Sequence, residues 1–160
     1  MWNKAIASTL FILFNAAAIA GPNDPLISMA WVGESVPGQT TATLQLNVTT
    51  TKAVTLLSAS SPAAGAIEIQ NVMLNKGALK MHVIKALPLP DHRTTLFGAR
   101  GLFLMMTGLK QPLTLGEQIP LNLTFEFPDK QVKTIAANVE VKPMELSYKH
   151  YGPNEVYDHR

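Results

Sequence analysis

Apolar and polar residues alternate with a period of two along three long segments of this chain. In the first segment Ala42, Leu44, Leu46 and Val48 alternate with polar neighbours, and residues 121–127 and 135–141 repeat the pattern. Residues 53–59 and 66–72 are shorter apolar segments of strand length. Because successive side chains of a strand point to opposite faces, this period predicts strands that bury one face and expose the other.

Turn-forming residues separate these segments at intervals typical of antiparallel β proteins. Residues 36–38, 61–62, 75–77, 88–91, 97–98 and 128–129 carry the Pro, Gly, Asn, Asp and Ser residues that favour turns. A spacing of about 8 to 12 residues between turns favours an antiparallel sandwich or barrel. No segment after residue 20 has the sustained apolar period of about 3.6 residues that a helical bundle needs. The pattern therefore predicts an all-β fold.

The two ends of the chain differ from this β segment. Residues 1–20 have the features of a secretory signal peptide: Lys4, a mostly apolar run, and the small-x-small pattern of residues 18–20 before Gly21. A membrane anchor is the alternative, but polar residues at positions 8, 9 and 15 leave the run shorter than the roughly 20 apolar residues of a span. We therefore predict a periplasmic protein with no stable membrane span after cleavage. We also predict a β domain over residues 21–142 and a polar C-terminal tail over residues 143–160.

Composition limits the chemistry that this chain can perform. The chain has no cysteine and a formal net charge of +2. An exported protein without cysteine has neither disulfides nor thiolate ligands, so a metal site has to use Met, His, Asp or Glu. The small charge and the lack of a basic run with interleaved aromatic residues argue against a nucleic acid partner. No hydrolase, phosphate-loop or dinucleotide motif occurs, so we expect a protein that is not an enzyme.

Residues 102–113 (LFLMMTGLKQPL) are the most informative segment for function. They resemble the ligand-bearing strand of the periplasmic copper chaperone family PCu(A)C, which carries His-x-Met before a similar turn. Residues 30–32 (AWV), 36–39 (VPGQ), 58–69 (SASSPAAGAIEI) and 119–126 (IPLNLTFE) extend the likeness, in order and spacing, over residues 28–127. The resemblance implies a cupredoxin-like Greek-key β-sandwich or barrel.

The resemblance also assigns four positions to a copper(I) site. The family ligands resemble His, ten intervening residues, Met, twenty-one intervening residues, and then His-x-Met. In this chain Gln70 and Phe103 stand at the two His positions, and Met81 and Met105 stand at the two Met positions. The resemblance therefore implies that Met81 and Met105 are metal ligands and that both imidazoles are lost.

The loss of both imidazoles predicts a weakened site. Thioether sulfur is soft and prefers Cu(I), and unlike a thiolate it forms no disulfide in an oxidising compartment. Gln70 offers a metal only a hard carbonyl oxygen, and Phe103 offers no donor. Since even an outer-shell change commonly costs about 10- to 100-fold in affinity, we expect the loss to cost at least about 100- to 10,000-fold. That range corresponds to at least roughly 3 to 5 kcal/mol.

Other residues are candidates to complete the site, namely Met73, Met106, His82 and His92. Since neighbours on a strand point to opposite faces, we expect His82 to face away from Met81 and Met106 away from Met105. The tail offers Met144, His150 and His159, which weakly resemble a second, mobile ligand set of some family members. For each methionine the alternative interpretation is ordinary core packing.

Two functions are consistent with these residues. The first is a copper(I)-binding, chaperone-like protein that delivers copper to an acceptor protein of cytochrome oxidase assembly from a weakened or re-liganded site. The second is a metal-free binding or scaffold module of the same fold, in which Phe103, Met105 and Met106 form an adaptable apolar docking patch. The retained thioethers favour the first function, and Gln70 and Phe103 favour the second.

Overall fold

The computed structural model of the chain describes residues 21–98 and 101–144. These residues form ten β-strands, numbered here in chain order. Their bounds are β1 Leu26–Gly33, β2 Thr41–Thr50, β3 Val54–Ser60, β4 Ala64–Asn75, β5 Ala78–Ile84, β6 Leu87–Leu89, β7 Arg93–Phe97, β8 Leu102–Leu109, β9 Gln118–Glu126 and β10 Val132–Lys142. The five segments predicted as strands correspond to β2, β3, β4, β9 and β10.

Seven of these strands close into a barrel. Neighbouring strands pair in the order β4, β8, β2, β1, β10, β9 and β3, and the pairing of Ala59 with Ile67 joins β3 back to β4. The other three lie outside this ring, with β5 paired to β4, β6 to β3 and β7 to β2. The prediction of an all-β, cupredoxin-like sandwich or barrel is confirmed, and the structure is of the barrel form.

The inward faces of the barrel strands form one hydrophobic core. Leu44, Leu104, Leu123 and Phe125 are each at most 1% exposed. Burying a side chain of this size stabilises the fold by about 1.5 to 3 kcal/mol relative to leaving it in water. The alternation seen in the sequence is therefore the alternation between this core and the outer face of the barrel.

Most predicted turns are confirmed, and one needs a correction. Turns lie at residues 37–38, 62–63, 76–77 and 128–129. The turn predicted over residues 88–91 is partly wrong, because Leu87–Leu89 forms the short strand β6 and the turn begins at Asp91. Pro88 is accommodated there because β6 is the last strand in the sheet order, where a missing N–H need not interrupt a hydrogen-bond ladder.

The β4–β5 hairpin extends the sheet beyond the barrel. Its turn consists of Lys76 and Gly77, which have positive φ angles of 50° and 82°. Two such residues are characteristic of a type I′ turn, whose twist matches that of the flanking strands. Every residue of β5 except Ile84 is exposed.

In the part of the chain described here, no helix is long and apolar enough to cross a membrane. The predicted signal peptide over residues 1–20 lies outside the described residues, as does the tail beyond Met144.

Candidate metal site

Strands β4 and β8 place the two substituted family positions side by side. In their antiparallel register Gln70 lies opposite Phe103, and Glu68 lies opposite Met105. Directly opposed residues share a face and have Cβ atoms about 4.5 to 5.5 Å apart. Because Leu104, between Phe103 and Met105, is fully buried in the core, these four residues lie on the outer face of the sheet.

The register of β5 brings Met81 onto the same outer face. Met81 lies opposite Val72, which is two residues along β4 from Gln70. The Met81 side chain is 57% exposed, and Met105 is half-buried. Neither belongs to the hydrophobic core, so the alternative interpretation of both residues as core packing is wrong.

The two thioethers flank the Gln70 and Phe103 pair from opposite sides. Met81 is displaced from that pair toward the hairpin turn, and Met105 is displaced the other way. In a flat sheet this offset puts the Cα atoms of Met81 and Met105 about 16 Å apart. Two methionine side chains do not span that distance around one ion. An ion held by both therefore requires the hairpin to bend over the outer face, with further donors between the two residues.

Gln70 presents a carbonyl oxygen at the centre of this face. Its Nε2 donates a hydrogen bond of 2.7 Å to Oε2 of Glu68. Its Oε1 is buried and has no hydrogen-bond partner among the described residues. An unpaired buried acceptor costs about 1 to 3 kcal/mol, so this oxygen favours the approach of a donor or a cation.

Thr43 on β2 orients the thioether of Met105. Thr43 lies opposite Met105, and its Oγ1 donates a hydrogen bond of 3.7 Å to Sδ. The contact leaves the second lone pair of the sulfur available to a metal.

Glu68 is a site residue that sequence reasoning missed. It lies beside Gln70 and opposite Met105, so it adds a partly buried carboxylate to the face. The signal was present in the sequence, because residues 68 and 70 are two apart and share a face once they lie on one strand. A carboxylate is a harder donor than a thioether, but its negative charge attracts a cation.

The candidates nearest to these residues do not join the site. Met106 is fully buried in the core, on the opposite face from Met105. Met73 and His82 lie on the reverse face of the hairpin, at odd offsets from Gln70 and Met81. The predicted directions of His82 and Met106 are confirmed. A docking patch that includes both Met105 and Met106 is ruled out, because the sheet separates their side chains.

His92 lies near the far end of β2. It precedes β7, whose first residue Arg93 lies opposite Thr50. Thr50 is seven residues along β2 from Thr43, or about 23 Å in an extended strand. Over residues 21–98 and 101–144, no three His, Asp or Glu side chains come together to hold a metal ion. His150 and His159 lie outside the described residues.

Sequence comparison relates this chain to one protein family. Residues 26–141 match the family described as "Putative lipoprotein LpqE-like". A relative from Leifsonia xyli subsp. xyli (strain CTCB07), "Putative lipoprotein Lxx21020", is 28% identical over 115 residues. The alignment covers 71% of this chain and 68% of that relative.

Solved structures of PCuAC domains share the fold. The copper-bound PCuAC domain from PmoF2 is 15% identical, has a TM-score of 0.57, and is matched over 73% of this chain and 91% of that domain. The solution structure of CuI-DR1885 from Deinococcus radiodurans is 25% identical, with a TM-score of 0.55 and coverage of 79% and 83%. The family match and these structures confirm the resemblance drawn from the sequence.

Proposed function

Because this chain belongs to the LpqE-like family and shares the fold of PCuAC domains, we propose that it is an extracytoplasmic copper(I)-binding protein of chaperone type. Copper is its cargo, bound at a weakened site on the outer face of β4, β5 and β8, where bending of the β4–β5 hairpin brings the thioethers of Met81 and Met105 to one ion. The protein binds and releases the ion and catalyses no conversion.

The observation that carries this proposal is the placement of the two thioethers. Met81 and Met105 share one face and flank the two positions where the copper chaperone family has His. Core packing does not account for a methionine at position 81, where the side chain is 57% exposed. Soft, accessible donors on both sides of an unpaired oxygen are suited to weak capture of Cu(I).

The remaining donors are oxygens, and they account for the weakness of the site. Oε1 of Gln70 is unpaired, and Glu68 adds a carboxylate that offsets the charge of the ion. Both are hard donors, which Cu(I) binds less well than imidazole or sulfur. We therefore expect an affinity at least about 100-fold below that of a site with both imidazoles.

A weak and exposed site is suited to passing the ion on. An acceptor can approach Met81 from solvent and replace the ligands one at a time. We assign this acceptor to the assembly of the copper centre of cytochrome oxidase, as the PCu(A)C resemblance implies. Transfer of Cu(I) from the loaded protein to an isolated copper-accepting oxidase domain would test that assignment.

The proposal is tested by competition for Cu(I) against a chromogenic chelator, with the chain that starts at Gly21. The unmodified protein should withdraw Cu(I) from a weak chelator, and Met81→Leu/Met105→Leu should reduce its affinity at least about tenfold. Met73→Leu is the matched control, because Met73 is also exposed but lies on the reverse face of the same hairpin. A chain ending at Met144 shows whether His150 and His159 contribute donors.

Two results would contradict the proposal. Failure of the unmodified protein to compete, even with a weak chelator, would remove copper as the cargo and leave the metal-free binding module. An equal loss in Met73→Leu would show that binding depends on methionines in general and not on the outer face.

A further inference from the structure

The β4–β5 hairpin exposes an apolar face next to the candidate metal site. One face of this hairpin is the face on which Gln70 lies. The five residues of that face nearest to the turn are all apolar, and we call them the hairpin face: Val72, Leu74, Leu79, Met81 and Val83. Leu74 is 71% exposed, Leu79 is 74% exposed and Val83 is 61% exposed. A solvent-facing strand normally carries polar residues outward, so a contiguous apolar set of this kind marks an interaction surface.

An open strand edge borders the hairpin face. β5 is the first strand in the sheet order and pairs only with β4 among the described strands. The backbone groups on its outer side are therefore available to another strand. Adding a strand at such an edge is a common way to bind an extended peptide, with main-chain hydrogen bonds providing affinity and alternate side chains providing specificity.

The charge of the hairpin disfavours a second copy of this chain as the occupant. Residues 69–90 contain Lys76, Lys80, Lys85 and His82 but no Asp or Glu. Pairing β5 with β5 of another copy would place two Lys80 side chains, and no carboxylate, on adjacent strands, and like charges on a strand pair are destabilising. The charge instead favours a partner that carries carboxylates.

The open edge disfavours a lipid surface. Unpaired N–H and C=O groups find no hydrogen-bond partner in the hydrocarbon region, so open sheet edges are excluded from it. An extended polypeptide satisfies those groups as it covers the apolar residues. Apolar burial, backbone pairing and charge are thus all satisfied by one kind of occupant, an acidic polypeptide strand.

We propose that β5 is a docking edge for an extended, acidic segment of a partner protein, which adds to the sheet as a further strand. Alternate apolar residues of this segment cover Leu79, Met81 and Val83. The residues between them carry carboxylates and face Lys80, which lies on the reverse side of β5. Docking brings the partner against Met81, at the edge of the candidate metal site, but it requires no copper.

The test uses the mature chain without copper and two fluorescein-labelled peptides of about eight residues, one alternating Glu and Val and the other Lys and Val. Fluorescence anisotropy measures affinity, and amide hydrogen exchange locates the contact. The Glu-Val peptide should bind saturably and protect the amides of β5. The Lys-Val peptide should bind at least about tenfold more weakly.

Variants of the hairpin should reverse or remove this preference. Leu79→Thr/Val83→Thr leaves the strand with β-branched residues, which favour it, but removes apolar area, and it should weaken binding of the Glu-Val peptide at least about tenfold. Lys80→Glu should shift the preference toward the Lys-Val peptide. The matched controls are Val132→Thr, at the start of β10, and Lys130→Glu, in the turn before β10. Both residues are exposed, and both changes should leave the affinities for the two peptides unchanged.

Several results would overturn the proposal. Equal affinity for both peptides, or no added protection in β5, would exclude strand addition by an acidic segment. A dimer in sedimentation that Leu79→Thr/Val83→Thr abolishes would identify a second copy as the occupant. Markedly tighter binding by a chain ending at Met144 would identify the tail of the protein itself as the occupant. These binding experiments contain no copper. Their results therefore test strand docking even if the protein proves not to bind Cu(I).

Discussion

A side chain at position 98 would collide with the buried end of Gln45, which would have to move to make room. Gly98 has a φ of 95°, and an added Cβ would lie 1.6 Å from Oε1 of Gln45. Gln45 is only 6% exposed and lies on β2, between the residues that pair with β8 and those that pair with β7. Position 98, directly after β7 and four residues before the start of β8, therefore has room for a side chain only if Gln45 shifts.

The change Gly98→Ala should lower the free energy of unfolding by about 2 to 5 kcal/mol. A positive φ costs a residue with a side chain roughly 1 to 2 kcal/mol, and overpacking adds about 1 to 3 kcal/mol. Denaturant unfolding measures the effect. Gly38→Ala is the control, because Gly38 has a φ of 85° but an added Cβ there meets nothing within 4 Å. Equal losses in the two variants would show that backbone strain, and not the contact with Gln45, limits position 98.

At the scale of elements, strand register determines which residues can share a metal ion. Met105 and Met106 are neighbours in sequence, yet one lies on the outer face and the other in the core. Gln70 and Phe103 are 33 residues apart in the numbering but directly opposed on β4 and β8. Two imidazoles at those positions would stand at a separation that suits one shared ion.

Restoring both imidazoles should therefore rebuild a tighter site. Gln70→His/Phe103→His is expected to raise the affinity for Cu(I) at least about 100-fold in chelator competition. The matched control is Asn71→His/Leu102→His, which places two His at the next opposed pair, on the opposite face from Met105. An equal gain of affinity in the control would contradict the assignment of the copper site to the outer face. Such a gain would show that two His bind Cu(I) without the flanking thioethers.

At the scale of the whole molecule, an ion pair connects the segment before β1 to β10. The carboxylate of Asp24 accepts a hydrogen bond from Nζ of Lys133, which is 109 residues away in sequence. This bond is the main reason that the pKa of Asp24 is lowered below its ordinary value of 3.8. Burial acts in the opposite direction and raises the pKa, while a hydrogen bond from the backbone N–H of Gly21 lowers it further. A lowered pKa in the folded state means that the ionised carboxylate stabilises the fold.

Replacing Asp24 should produce a stability difference that depends on pH. Asp24→Asn is expected to lower the free energy of unfolding by about 1 kcal/mol at neutral pH. Because the folded-state pKa is depressed, this contribution is present above about pH 4 and is lost as the pH falls through the folded-state pKa. Urea unfolding at a series of pH values measures the difference, with Lys133→Gln as the reciprocal variant. A difference that persists undiminished to pH 2 would assign the loss to packing and not to the charge of Asp24.

Strand content could be predicted because it depends on local pattern. The alternation from Ala42 to Val48 and the turn residues around Gly77 each act over a few neighbours, and both are confirmed. The partly wrong turn at Pro88 has a non-local cause, since β6 exists through its pairing with β3. Glu68 is a different case: its shared face with Gln70 follows from their spacing on one strand, but its place opposite Met105 depends on the register of two strands.

The sequence by itself determined the all-β class, because period-two patterning is a property of the chain alone. Through the family resemblance it also implied the cupredoxin-like type and which four residues stand at the family's ligand positions. The alternation already indicated that His82 and Met106 face away from Met81 and Met105, but only the tertiary structure decided that Met73 and His92 are also excluded from the outer face. It also decided that the apolar side of the β4–β5 hairpin is uncovered while β5 forms an open edge. The physical reason is that strand order and register join residues far apart in sequence. The alternation shows which side chains share a face of a strand, but it does not show which neighbour, if any, will cover them.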